Sequence, residues 1–279
     1  MAQGSGIEWT ESTWNPVTGC TGESSSDIFS RYIEPPLSSP HGGDFAARRQ
    51  HNPLDTNFRE AVLTRSVLTR TEESSMVDLA QAFRALAGSH GADVGTAEAW
   101  WREVESRYSE PHRRYHTLEH IRELLALLPE AGEEVLAAVW FHDLIYDRRG
   151  ANEERSADVA HEALIDLHFP REAVDRVTKM ILATRNHDPG DLPAEATLFL
   201  DADLAILGSP RERYRAYAEA IRFEYSWVPD EVFRTAREGV LRDFLAKPRL
   251  YRTDVMRERF EGQARDNMVW ELRGFLSEP

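Results

Sequence analysis

Three short stretches of this 279-residue chain set imidazoles and carboxylates among apolar neighbours. The first is YHTLEH, Tyr115 to His120, with histidines at i and i+4. On a helix that spacing puts His116 and His120 on one face a turn apart, so both can address one site. Taken alone, the pair reads equally well as two surface histidines near a helix start. The second is AAVWFHDLIYD, Ala137 to Asp147, which buries a His-Asp dipeptide in an apolar helical run. Adjacent side chains on a helix diverge by about 100°, so His142 and Asp143 cannot both be solvated if Val139, Trp140, Leu144 and Ile145 are core. An unpaired buried carboxylate is costly. Its partner is a divalent cation, an arginine or a hydrogen-bonded core group. The third is TLFLDADLAILG, Thr197 to Gly208. Asp201 and Asp203 lie two apart and face different ways, so at most one aims into a shared site. The other is a helix cap or a group that orients a histidine from behind. Imidazole and carboxylate together suit zinc, manganese, iron, cobalt or magnesium, each to a different degree.

The elements that must carry these groups are helices. Val77, Leu79, Ala80, Phe83, Leu86 and Ala87 recur at three-and-four spacing up to Gly88. Thr96 reads as the N-cap of a helix carrying Trp100, Trp101, Val104 and Tyr108 and ended by Pro111. Further helices are expected over 117–128, 132–146, 152–168, 171–185, 194–207, 211–224, 230–246 and 254–276. Alternating β-branched runs bounded by hairpin turns are missing, so the fold class is all-α, with many amphipathic helices sharing one core. Residues 1–75 differ from the domain at 76–279. Breaker clusters such as Gly4 to Gly6, Pro35-Pro36 and Gly42-Gly43 leave no sustained period. That segment is expected to be largely disordered, with at most a short helix over Asn57 to Leu68.

Composition bounds the function. The net charge of -15 opposes binding to a nucleic-acid polymer. A small phosphorylated substrate responds instead to local cations and to a metal. No apolar run approaches the roughly 18 residues that span a bilayer, and no basic-then-apolar leader opens the chain. The expected setting is therefore the cytoplasm, with no membrane partner, as a monomer or a homodimer. Cys20 is the only cysteine, which excludes an internal disulfide and a cysteine-based zinc site.

In order, His … His-Asp … Asp resembles the HD superfamily of metal-dependent phosphohydrolases. Within it, the chain is similar to a group of small bacterial proteins that share RYHTLEHI, FHDLIYD, NEERSA (Asn152 to Ala157), ATRNH (Ala183 to His187) and FLDADLAILG. The likeness spans about residues 76–275. It implies an HD-domain helical bundle with His120, His142, Asp143 and Asp203 as ligands of a divalent ion. Asp203 is preferred because the superfamily ligand usually sits in an Ala-Asp-aliphatic context, and Asp201 stands in reserve as a ligand or supporting group. By position, His116 resembles the general acid of cyclic-nucleotide phosphodiesterases, and Asp143 or Asp203 would assist as general base. His187 matches a histidine that in some HD families binds substrate phosphate or a second metal, although an exposed loop histidine reads as well. Arg113, Arg114, Arg185 and Lys179 are candidates to hold the phosphate, and Glu154, with Glu153, either borders the pocket or only favours a helix N-terminus. His90, His112, His161 and His168 are expected at the surface.

The implied activity is metal-dependent hydrolysis of a small phosphate ester or anhydride, a nucleotide above all. The alternatives are a metal-containing nucleotide sensor without turnover and, last, a scaffold with a purely structural metal. Separately, IEWTESTWNPVTGC (Ile7 to Cys20) resembles the opening of a phage-associated family with radical-SAM-like cysteine clusters. The further cysteines that would hold iron and sulfur are missing, so no cluster function carries over. Residues 1–75 are then expected to be a remnant fusion or to precede a misplaced start, with Met76 the natural beginning.

Overall fold

The computed structural model describes residues 78–148 and 150–277. The segment expected to be disordered, its short helix and the Ile7–Cys20 likeness lie outside them. The described residues form α1 (Leu79–Gly88), α2 (Val94–Tyr108), α3 (Leu118–Leu127), α4 (Glu133–Phe141), α5 (Asn152–Asp166), α6 (Arg171–Thr184), α7 (Ala194–Asp203), a 3-10 turn (Leu204–Gly208), α8 (Arg211–Glu224), α9 (Asp230–Ala246) and α10 (Asp254–Ser277). They contain no strand, in keeping with the all-α class. None of these helices is long and apolar enough to cross a membrane.

Local chemistry explains most helix starts. Asp78 accepts from the Gln81 N–H at 3.1 Å and so caps α1. Asp93, not Thr96, caps α2: its carboxylate accepts from the Thr96 N–H at 3.0 Å and from the Thr96 hydroxyl at 2.6 Å. The threonine is thus the capped partner, three residues into the motif. This helix stops at Tyr108, because Glu110, just before Pro111, is disfavoured in the helical region. Helices α6 to α9 each begin directly after a proline in an extended conformation (Pro170, Pro193, Pro210, Pro229). A proline there fixes the entry angle and gives up an N–H that no helix bond needs.

Two helices lack a solvent stripe, and His142 and Asp203 stand at their C-terminal ends. In α4, Val135, Ala137, Ala138, Val139, Trp140 and Phe141 are all buried, and α1, α3, α5, α6 and α7 pack around it. A short helix apolar on all sides belongs at the centre of a bundle. In α7, Ala196, Phe199, Leu200, Asp201 and Ala202 are buried. Its expected continuation to residue 207 instead tightens into the 3-10 turn. Side chains from the C-terminal region take that turn's carbonyls. The Asn267 amide donates to Leu207 O at 2.7 Å and Ser209 O at 2.8 Å, and the Tyr251 hydroxyl to Leu204 O at 2.9 Å.

The turn lies against α10 so closely that a Cβ on Gly208 would stand 2.6 Å from both Cβ and the carbonyl oxygen of Phe260. Part of that obstacle is backbone and cannot swing away. Gly208→Ala is expected to cost about 1–3 kcal/mol and lower the melting temperature by a few degrees. Gly262→Ala on α10, where nothing lies within 4 Å, should be neutral or slightly stabilising. Thermal denaturation of the two variants side by side checks both.

Candidate metal centre

Helix α4 ends on Phe141, and His142 is its C-cap. The dipeptide therefore terminates the helix, where an uninterrupted helix over 132–146 was expected. The next turn cannot form because its polar groups are engaged elsewhere. The buried Arg113 guanidinium donates to Asp143 O at 2.7 Å, Leu144 O at 2.7 Å and His116 O at 3.2 Å. The Ile145 N–H goes to the Ser156 hydroxyl at 3.0 Å and the Asp147 N–H to the Asn152 side chain at 3.2 Å. Arg155 forks onto the Asp147 carboxylate at 2.8 and 2.9 Å. The NEERSA stretch thus anchors the loop that presents His142 and Asp143.

Four side chains from three separate parts of the chain meet beyond this corner. His120 Nε2 (from α3) and His142 Nε2 are 3.2 Å apart. Asp143 Oδ2 lies 3.1 Å from the His142 nitrogen and 3.9 Å from that of His120. Asp203 Oδ1, at the end of α7, lies 3.1 Å from His120 Nε2 and 3.6 Å from His142 Nε2. Atoms of His120, His142 and Asp143 that can serve as ligands all lie within 4.8 Å of one another. Donors bound at about 2.0–2.2 Å to one ion stand roughly 3–4 Å apart, and the His120, His142 and Asp143 atoms lie in that range. His142 Nδ1 is 3.0 Å from Val139 O. A carbonyl only accepts, so Nδ1 carries the hydrogen and Nε2 turns its lone pair toward the group.

The electrostatics point the same way. Burial opposes charge on His142, yet Asp143 and Asp203 outweigh it and raise it well above the usual histidine range. Burial is likewise overcome at Asp143, by His142 and His116, and at Asp203, by His142, His120 and His187, so both carboxyls are held below their ordinary range. The set therefore demands positive charge. A proton on His142 supplies it, or a cation does in its place.

His116 reaches the site without being helical. Thr117 is the N-cap of α3, so His116 precedes the helix, and the expected helical i, i+4 pairing with His120 does not form. The two rings still come within 6.1 Å, centroid to centroid. What fixes His116 is Glu224, the last residue of α8 and buried. Glu224 Oε1 accepts from the N–H groups of Arg114 and Tyr115 at 2.7 Å each and of His116 at 3.0 Å, and Oε2 bonds His116 Nδ1 at 2.7 Å. Burial works against the Glu224 charge, but His116 and the backbone donors prevail and hold its carboxyl below the ordinary range. Burial also opposes charge on His116, and Glu224 and Asp143 raise it above the usual value. Its Nε2 stands 3.8 Å from Asp143 Oδ2.

His116, Asp143, His187 and Asp203 line a cavity of about 130 Å³ whose wall also includes Leu204, Ile206, Leu207, Ile221, Val240 and Phe244. His187 Nε2 is 3.0 Å from Asp203 Oδ2, so it joins the group instead of lying free on a loop. The other candidates fare differently. Asp201 does not reach the site: its carboxylate accepts from the N–H groups of Arg252 (2.9 Å) and Thr253 (2.7 Å) and from the Thr253 hydroxyl (2.6 Å), ahead of α10. Arg114 is not in the cavity lining; its guanidinium lies over the Phe223 ring at 4.2 Å. Arg185 and Glu154 pair with each other outside the lining, and Glu153 takes the place at the wall. Arg113 is committed to carbonyls, and Lys179 is exposed on α6. His90 and His112 are half-buried rather than at the surface, His90 against Phe169 at 4.0 Å and His112 on Tyr146 O at 2.6 Å. Glu224, Tyr146 and Arg237 (which also lines the cavity) are the residues sequence reasoning missed. The only signal for Glu224 is an acid closing an amphipathic helix, which is too common to single out.

Comparison with protein-family models, with curated proteins and with solved structures finds no match for the chain.

Proposed function

We propose that the described domain is a metal-dependent phosphohydrolase of the HD type, acting on a small phosphate ester or anhydride, with a nucleotide the favoured substrate. The observation that carries this reading is the cluster of His120, His142 and Asp143, whose ligand atoms lie within 4.8 Å of one another, with Asp203 3.1 Å from His120 Nε2 and a cavity alongside that also holds a carboxylate-bound histidine. When bound, such an ion supplies Lewis-acid chemistry, acidifying water and polarising a phosphoryl oxygen. The chain's own groups divide the remaining work. Asp143 directs Oδ2 at the imidazoles, which leaves Oδ1 to take the proton of the attacking water as its oxygen bonds to phosphorus. As the bond from phosphorus to the leaving oxygen breaks, His116 Nε2 donates a proton to that oxygen, while Glu224 keeps its Nδ1 engaged and the ring aligned. His187 braces Asp203 at the cavity wall.

The test is phosphate release by the full chain loaded with manganese, zinc, iron, cobalt or magnesium, assayed against nucleoside mono- and triphosphates and simple phosphomonoesters. Turnover of at least one substrate, lost on chelation and restored by adding the ion back, is the expected result. Ligand binding without phosphate release from any of them would replace this reading with the sensor. Unfolding on chelation with no activity would replace it with a structural metal.

A further inference from the structure

Beside the inner cavity lies a second one of about 420 Å³, and the two share Tyr146, Asn152 and Tyr225. Four of the outer cavity's walls are unsaturated rings: His112, Tyr146, Tyr225 and Trp227. They continue a row that begins at the reacting end. The Tyr146 ring stacks on His116 at 4.0 Å and 28°, the Tyr146 and Tyr225 side chains are hydrogen-bonded, and Tyr225 stacks on Trp227 at 6.2 Å and 28°. At the far end the Trp227 indole is 37% exposed although its neighbour Val228 is buried. The Arg148 guanidinium stands 5.7 Å from the Trp227 ring centre, and no carboxylate among the described residues pairs with it. A ligand whose phosphate sits beside His116 and Asp143 can extend past Tyr146 and Tyr225 into the outer cavity, of about 420 Å³.

We propose that this outer cavity binds a planar aromatic ring joined to the phosphate, a nucleobase above all, by stacking against Trp227 beside Arg148. Aromatic side chains hold bases by their faces, and a guanidinium adds to the stack. Apart from Arg148, the polar groups that would read a base edge are already engaged: His112 Nε2 on Tyr146 O, the Asp147 carboxylate on Arg155, and the Asn152 side chain on the Asp147 backbone. The shelf therefore recognises a ring without choosing strongly among bases. The link from ring to phosphate rests on the function proposed above; binding of the ring alone does not.

The experiment is calorimetric titration of the metal-free full chain with adenosine and with uridine, neither of which carries phosphate. Both are expected to bind saturably, within about tenfold of each other, and Trp227→Ala should weaken adenosine by about tenfold or more. Trp270→Ala removes an indole that is likewise exposed, at 42%, and likewise under an arginine; it should change nothing. No binding of either nucleoside, or equal affinity in Trp227→Ala, overturns the proposal. Loss of binding in Trp270→Ala as well does the same. If adenosine binds through Trp227 yet the metal-loaded protein releases no phosphate from any of the nucleotides and phosphomonoesters named above, the shelf stands and the hydrolase reading falls.

Discussion

Asp143→Ala is expected to reduce phosphate release by about 10³-fold or more and to strip the divalent ion, while the helical signal and melting temperature stay near those of the parent. The carboxylate is one of two that balance His120 and His142, and it is the proposed acceptor of the water proton, so one substitution removes a ligand and a base together. Retention of the fold follows from where the loop is held. Arg113, Ser156 and Asn152 grip it by backbone atoms, and none of those contacts needs the Asp143 side chain. Metal analysis, circular dichroism and the phosphate assay on one preparation read all three consequences. Activity within tenfold of the parent, with the ion still bound, would remove Asp143 from the chemistry.

Glu224→Gln should cut kcat by about 10²-fold or more with metal content and KM little changed. The amide oxygen can still accept the three backbone N–H groups that now meet Oε1, so the approach to α3 keeps its shape. The amide nitrogen must then face His116 Nδ1 in place of Oε2. Because that nitrogen donates, it forces Nδ1 to accept, and the imidazole changes tautomer and loses the carboxylate that favours its charge. A merely structural Glu224 would instead lower stability and leave kcat per folded molecule unchanged. Measuring kcat, KM and the melting temperature of Glu224→Gln beside Glu224→Ala separates the roles. The alanine variant leaves three backbone donors without an acceptor and should also lose stability.

Much of this arrangement was legible in the residues. The helical period set the number and class of elements, and His-Asp embedded in AAVWFHDLIYD marked a central helix because a buried carboxylate demands a partner. The detail failed wherever a distant side chain overrode a local pattern. Nothing near Phe141 announces the end of α4, because the interruption comes from Arg113, Ser156 and Asn152 reaching across the fold. Asp201 and Asp203 share one motif and look alike in sequence. They part because the chain returns at Arg252 and Thr253 to take the first, and three imidazoles meet the second. Arginines near the histidines suggested phosphate contacts, yet Arg113 and Arg114 are consumed by carbonyls and by the Phe223 face. Glu224 bonds His116 from 108 positions away, a separation over which no local spacing rule operates.

The central claim is that His120, His142, Asp143 and Asp203 hold one divalent ion, and anomalous diffraction tests it most directly. Crystals of the full chain grown with manganese or zinc, measured at the metal's absorption edge, should show a peak about 2.0–2.3 Å from the two Nε2 atoms and from a carboxylate oxygen of each aspartate. The peak should vanish in Asp143→Ala grown the same way. No peak among these four residues, or a peak only elsewhere in the molecule, would contradict the claim.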